Sequence, residues 1–83
     1  MKISIITVCL NSEKTILHSL NSVISQNYKN IEHVLVDGGS IDKTVKIIKN
    51  YKFKNKKVIL TKGESLYSSL NIGIKKSTGD LIS

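Results

Sequence analysis

Eighty-three residues, with lysine as the sole source of the 13 basic side chains and no proline or tryptophan, set a ceiling of one small domain. A chain of this size buries only roughly 60% of its unfolded surface. The 40% hydrophobic and 23% charged composition is that of a soluble globular protein, no apolar run approaches the ~18–20 residues of a membrane span, and the lone Cys9 excludes an intramolecular disulfide or a cysteine-rich zinc site. The apolar start, Met1 to Val8, meets Asn11 and Glu13 too soon for a signal peptide. A cytoplasmic chain without redox chemistry is the expectation.

In chain order, Ile3-Ser4-Ile5-Ile6-Thr7-Val8 is a β-branched run of strand length, apolar on both faces. Asn11 and Ser12 are N-cap types, and Ile16, Leu20, Val23 and Ile24 then recur at the spacing of a buried helix face. Ile31-Glu32-His33-Val34-Leu35-Val36 reads as a second strand, stopped by Asp37-Gly38-Gly39-Ser40. Ile41, Val45 and Ile48 predict the buried stripe of a second helix, with Asp42 in its first turn. Val58-Ile59-Leu60 is a short third strand. Leu66, Leu70 and Ile74 predict the lining of a third helix that ends near Thr78-Gly79, with Gly79 at C′. Asp80-Leu81-Ile82-Ser83 opens a fourth strand.

The order β-α-β-α-β-α-β, with strands apolar on both faces, predicts an α/β fold: a doubly wound parallel sheet, one domain over 1–83, cut short in its fourth strand. Each crossover should be right-handed. The exposed edge beginning at Asp80 is a candidate for sheet-edge association.

The net charge of +7 is local. Eight lysines and no acid lie from Lys43 to Lys62, whereas the rest of the chain is slightly acidic. Lys43, Lys46, Lys49 and Lys52 are spaced by three, so on a helix they form one solvent stripe. That stripe reads either as an ordinary solvated face or as a contact for an anionic membrane surface, where each lysine adds roughly 1 kcal/mol. Nucleic acid is not the expected partner, because there is no arginine to read bases and few aromatics to stack on them.

In open α/β sheets ligands sit beyond the carboxyl ends of the strands. There the chain offers Thr7-Val8-Cys9-Leu10-Asn11 and Asp37-Gly38-Gly39-Ser40-Ile41-Asp42. Asp37 can accept from a ribose or base, or from N–H groups of its own turn, and spacing does not choose between them. No G-x-G-x-x-G follows the first strand and no G-x-x-x-x-G-K-[ST] occurs, which excludes dinucleotide and P-loop sites. The first loop lacks the acidic cluster of a phospho-acceptor domain. His33 reads as packed or hydrogen-bonded, Cys9 as a buried small residue, and neither histidine has a metal-ligand partner at i+3 or i+4. Tyr67, Asn71 and Lys75 form a polar stripe on the third helix, opposite Leu70 and Ile74.

Five segments resemble, in order, the motifs of family 2 glycosyltransferases with the GT-A (Rossmann-like) fold. They are Ile3 to Asn11; Ser22-Val23-Ile24-Ser25-Gln26-Asn27-Tyr28; Val36-Asp37-Gly38-Gly39-Ser40-Ile41-Asp42-Lys43-Thr44; Tyr67-Ser68-Ser69-Leu70-Asn71-Ile72-Gly73; and Ser77-Thr78-Gly79-Asp80-Leu81-Ile82. The resemblance covers nearly the whole chain and points to the family's "DGGS" subgroup.

The resemblance implies transfer of a sugar from a nucleotide-sugar donor (UDP- or GDP-type) to a glycan, lipid-linked or protein acceptor, as in polysaccharide biosynthesis. It assigns Thr7 and Cys9 to the border of the nucleoside, Asp37 and Gly38 to the base, and Asn11, Ser40, Tyr67 and Asn71 to the nucleotide-binding set. Gly38 stands where many members carry a second aspartate, Cys9 where a tyrosine is common, and the usual D-x-G-I-Y is Gly63-Glu64-Ser65-Leu66-Tyr67 here. The family's D-x-D-like ligands for Mg²⁺ or Mn²⁺ and its catalytic base would follow the fourth strand. The chain is therefore expected to be an N-terminal, nucleotide-binding half that is catalytically silent alone, whether from a truncated gene, a partial piece or a split enzyme. The alternative is a non-catalytic module that docks on an anionic membrane or a partner through its basic 43–62 face, peripheral to the inner side of the membrane.

Overall fold

The computed structural model describes residues 2–25, 29–63, 65–79 and, as backbone, 81–82. Residues 26–28, Glu64 and Asp80, which belong to the motifs above, lie outside the described residues. The elements are β1 (Ile3–Cys9), α1 (Ile16–Ile24), β2 (Ile31–Asp37), α2 (Thr44–Asn50), β3 (Lys56–Leu60), α3 (Leu66–Lys76) and β4 (Leu81–Ile82), in the expected alternation.

The strands form one parallel sheet in the order β3-β2-β1-β4. β1 and β2 run in register from Ile3 opposite Ile31 to Cys9 opposite Asp37. Every residue of β2 is buried, which its near-continuous apolar run requires of a central strand covered on both faces. The sheet grows from β1 to β2 to β3 and then returns past β1 to β4. With right-handed crossovers, that reversal puts α1 and α2 on one face and α3 on the other.

Under α1 and α2 lies a core of Cys9, Ile16, Leu20, Leu35, Ile48 and Tyr51, flanked by Ile47, Phe53 and Val58. His33 is enclosed in this layer. Its Nε2 lies 2.7 Å from Thr7 Oγ1, its Nδ1 lies 3.1 Å from the Tyr51 hydroxyl, and its ring meets Tyr51 edge-on at 5.4 Å. Burial pushes its pKa down to about 4, so the imidazole is a neutral packing group at physiological pH. Lys56 Nζ donates to the carbonyls of Ile48, Lys49 and Tyr51, satisfying the end of α2 with a cation where the helix dipole favours one.

The opposite face corrects the reading of α3. Its buried residues are Ser69 and Gly73, while Leu66, Leu70 and Ile74 are 62%, 41% and 40% exposed. A Cβ on Gly73 would lie 2.7 Å from Ile6 Cγ2 and 3.2 Å from Val36 Cγ2, so the helix rests its backbone against β-branched side chains of β1 and β2. A side chain larger than hydrogen has no room there. Buried Ser69 Oγ, one turn earlier, finds no hydrogen-bond partner among the described residues.

Other expectations shift locally. Ile24 and Ile41 are 55% and 93% exposed, outside the stripes assigned to them, and the buried pair of α2 is Thr44 and Ile48. α1 starts after a turn closed on the Ser12 carbonyl, not at an Asn11 or Ser12 cap. Asp42 lies just ahead of α2, not in its first turn, and accepts from the Thr44 N–H at 2.9 Å. α3 is capped by Ser65 Oγ and ends at Lys76 with Ser77 as C-cap. Gly79 therefore does not terminate the helix. Its N–H donates to Ser4 Oγ at 2.8 Å, and a Cβ there would strike Ser4.

At that end of the sheet, buried Glu32 gathers Lys2 (3.0 Å), Lys57 (3.7 Å) and the N–H and hydroxyl of Thr78. Burial pushes its carboxyl up, but the Thr78 hydroxyl, Lys2 and the remaining partners outweigh that and hold it below the ordinary value. Lys57 also donates to the Lys76 carbonyl. Lys56 and Lys57 are thus structural, and the basic surface reduces to Lys43, Lys46, Lys49, Lys52, Lys54 and Lys62.

Candidate functional site at the carboxyl ends of the strands

The reversal of strand order between β1 and β4 makes a topological switch point, and the loops after β1 and β2 meet beside it. They are joined by reciprocal bonds. The Asn11 N–H donates to Ser40 Oγ at 2.8 Å, and the Ile41 N–H returns to Asn11 Oδ1 at 2.9 Å. Ser12 N–H donates to Thr44 Oγ1 and Glu13 N–H to Asp42 Oδ2. Asn11 has φ +48°, a left-handed conformation that asparagine tolerates better than other non-glycine residues.

Asp37 organises the second loop. Its Oδ2 accepts the N–H groups of Gly39 (3.0 Å) and Ser40 (2.8 Å), and its Oδ1 accepts the Ser40 hydroxyl at 2.5 Å. Of the two roles open to this carboxylate in the sequence, the structure displays the turn-closing one; 1% exposed, it has its oxygens committed within the chain. The third loop is tied on in turn: the Thr61 N–H and hydroxyl donate to the Asp37 carbonyl, and the Gly63 N–H to the Gly38 carbonyl. Gly39, at φ +107°, lies where a Cβ would come within 3.2 Å of the Gly63 nitrogen, so a glycine is needed both for conformation and for room.

Between the second and third loops and α2 opens a groove of about 440 Å³, lined by Asp37, Gly39, Ser40, Val45, Leu60, Thr61, Lys62 and Gly63. Exposed Lys62 is the cation on its rim. Lys62, Thr61 and Val45 are not among the nucleotide-binding candidates named from the sequence, which places Val45 in a buried helix stripe and Lys62 in the basic face. Only the tertiary approach of the third loop reveals them, and no motif signals it.

The predicted residues separate into groups. Asn11, Asp37, Gly38 and Ser40 come together in the laced loops. Cys9 joins them from beneath, 3% exposed, its thiol 3.7 Å from Asp37 Oδ1 and its side chain in the α1–α2 core. Burial, then the Asp37 charge, pushes that thiol up to about 12, so Cys9 stays protonated and inert. Thr7 sits two register pairs deeper on the same face, held by His33. Tyr67, 75% exposed, and Asn71 ride on α3 across the sheet and do not line the groove. At the end of β1 the exposed side chain is Leu10, at 43%, not Cys9.

Among the described residues no group of three or more His, Cys, Asp or Glu is placed to hold a metal ion. Asp42, like Asp37, spends its oxygens on the chain itself; the Thr44 hydroxyl above all holds its carboxyl below the ordinary range. The described residues do not fit a divalent-cation site.

Comparison with known proteins agrees with this geometry. The sequence profile described as glycosyl transferase family 2 matches residues 4–83. A Haemophilus influenzae protein called an uncharacterized glycosyltransferase is 39% identical over 83 residues, covering 96% of this chain and 33% of its own length. The poly-beta-1,6-N-acetyl-D-glucosamine synthase of Staphylococcus epidermidis is 32% identical over 84 residues, covering 96% of this chain and 20% of the synthase. Among solved structures, residues 1–349 of S. aureus TarS superpose with a TM-score of 0.90 at 34% identity, over 99% of this chain and 26% of that one. The chain thus spans about a third or less of the length of the proteins it matches. With the profile matched across almost every residue, the strand order and the strand-end loops as expected for its fold, this chain belongs to glycosyl transferase family 2.

Proposed function

We propose that these 83 residues form the donor side of an enzyme that takes a sugar from a UDP- or GDP-type nucleotide-sugar and passes it to a glycan or lipid-linked acceptor, as in polysaccharide assembly. The observation that carries this reading is the laced set of loops at the carboxyl ends of the strands, with the Asp37–Ser40 turn forming one wall of a groove on the β2–β3 side. The carboxyl ends of the strands are where the fold class seats ligands. The Asp37–Ser40 wall is held by hydrogen bonds within its own turn, so that wall needs little reordering on binding. Tyr67 and Asn71, exposed on α3, contact the donor only from the other side of the sheet.

The described residues supply no cluster that would hold a metal ion, so the Mg²⁺ or Mn²⁺ of the whole enzyme draws its ligands from elsewhere, and the base that deprotonates the acceptor is assigned to other residues as well. By themselves these residues bind donor and do not transfer sugar. Titrating the chain with UDP and with GDP while following amide shifts tests this. Shifts confined to Gly38, Gly39, Ser40, Thr61 and Lys62 are expected, and a folded sample with no shift there refutes the binding reading. Sugar transfer by the 83-residue chain refutes the assignment of chemistry to other residues.

A second, compatible reading concerns location. Lys43, Lys46, Lys49 and Lys52 are all exposed. Such a face supports peripheral contact with an anionic membrane on its cytoplasmic side. The edge of the sheet at β4 is a further candidate for association with another chain.

A further inference from the structure

A second groove, of about 380 Å³ and sharing no residue with the first, runs along the outer side of the α1–α2 layer. Its α1 wall is Leu17, Asn21 and Ile24, spaced so that they form one stripe along the helix. Leu17 and Ile24 are 57% and 55% exposed, over a floor that includes buried Leu20 and Tyr51. The far wall is Ile47, Asn50 and Lys52. Helical spacing places Lys43 beside Ile47 and Lys46 beside Asn50, and both lysines are exposed. Lys52 is the one charged residue lining the groove, and no acid occurs from Lys43 to Lys62.

Two large aliphatic side chains in water beside unneutralised lysines fit a partner that is anionic at its surface and apolar just beneath. A bilayer interface has that layering. Nucleic acid does not suit this face, where Tyr51 is 7% exposed and the one strongly exposed tyrosine described, Tyr67, lies across the sheet. We propose that the α1–α2 surface seats the chain on a bilayer containing acidic phospholipid, with Leu17 and Ile24 entering the acyl boundary and Lys43, Lys46 and Lys52 meeting the headgroups. This rests on the peripheral-membrane reading above and adds insertion to it.

The test is co-sedimentation of the chain with vesicles of phosphatidylglycerol and phosphatidylcholine in equal parts, against phosphatidylcholine alone, with circular dichroism to verify folding. Binding is expected only where phosphatidylglycerol is present. Lys43→Gln, Lys46→Gln and Lys52→Gln should each weaken it about fivefold. Leu17→Ser with Ile24→Ser should weaken it about tenfold or more with every lysine intact. Because the chain has no tryptophan, Leu17→Trp supplies a fluorescence signal that should shift to the blue on vesicles. Absence of binding to phosphatidylglycerol vesicles overturns the peripheral reading and the insertion with it. Binding that the Leu17/Ile24 variant leaves unchanged, without a blue shift, overturns insertion alone. Retention on polyuridylate by a chain that ignores vesicles assigns the face to nucleic acid and overturns both.

Discussion

Replacing Gly73 by alanine sets two opposing effects against each other. In an exposed helix interior the change would stabilise by about 1 kcal/mol, because alanine is the better helix former. Here the new methyl would meet Ile6 Cγ2 at 2.7 Å and Val36 Cγ2 at 3.2 Å. Those are β-branched side chains in a packed sheet, with few alternative rotamers. Overpacking of this kind costs about 1–3 kcal/mol, so a net loss of about 1 kcal/mol is expected. For a domain this small, that lowers the thermal midpoint by about 4–8 °C. The neighbouring Ser69→Ala should move the other way, stabilising by about 1 kcal/mol, because it removes a buried hydroxyl that has no partner among the described residues and adds no volume. Thermal and urea unfolding of the two variants checks both signs. An unchanged or raised midpoint for Gly73→Ala would show that α3 does not rest its backbone on β1 and β2, and the placement of Tyr67 and Asn71 would fall with it.

Two further outcomes follow from the polar groups. Asp37→Asn leaves one acceptor oxygen where two now serve Gly39, Ser40 and the Ser40 hydroxyl, and should destabilise by about 2–3 kcal/mol in urea unfolding; a change under about 0.5 kcal/mol refutes its role in closing the loop. His33 has a folded pKa of about 4 against an ordinary 6.5, so its neutral form is the native one. Stability should be fully retained above pH 6.5 and fall by about 3 kcal/mol as pH drops toward 4. Glu32 extends that loss below its ordinary 4.5, since its lowered value requires the charged form. Urea midpoints across this range test the sequence of losses, and a flat profile between pH 6.5 and 4 refutes the burial of His33.

The element order was legible because β-branched runs and helical spacing alternate without ambiguity. The inner face of α3 was not. A leucine-isoleucine stripe normally marks burial, but Ser69 and Gly73 occupy the one face where Ile6 and Val36 leave room only for small groups, and periodicity is blind to what lies opposite. Ile41 deceived in a similar way, since its backbone is needed by Asn11 while its side chain faces water. At the site, the Asp37-Gly38-Gly39-Ser40 string announced a special turn. That Asp37 faces inward on its own loop, and that Thr61 and Lys62 join the groove, depends on contacts across 24 or more residues that no local pattern encodes. His33, read as packed, is packed.

Asn11 and Ser40 lie 29 residues apart, and Ser12 and Thr44 lie 32 apart. The loop after β1 has a local turn on the Ser12 carbonyl, but Asn11 meets its partners only when β2 has paired and its loop has closed on Asp37. A left-handed asparagine is held there by partners distant in the chain, so this rim is expected to open ahead of the central strands. Amide exchange should reach Asn11 and Ile41 together, long before it reaches Val34 and Leu35 beneath them. Occupancy of the groove would then register as a slowing of that shared opening, even when no side chain changes place.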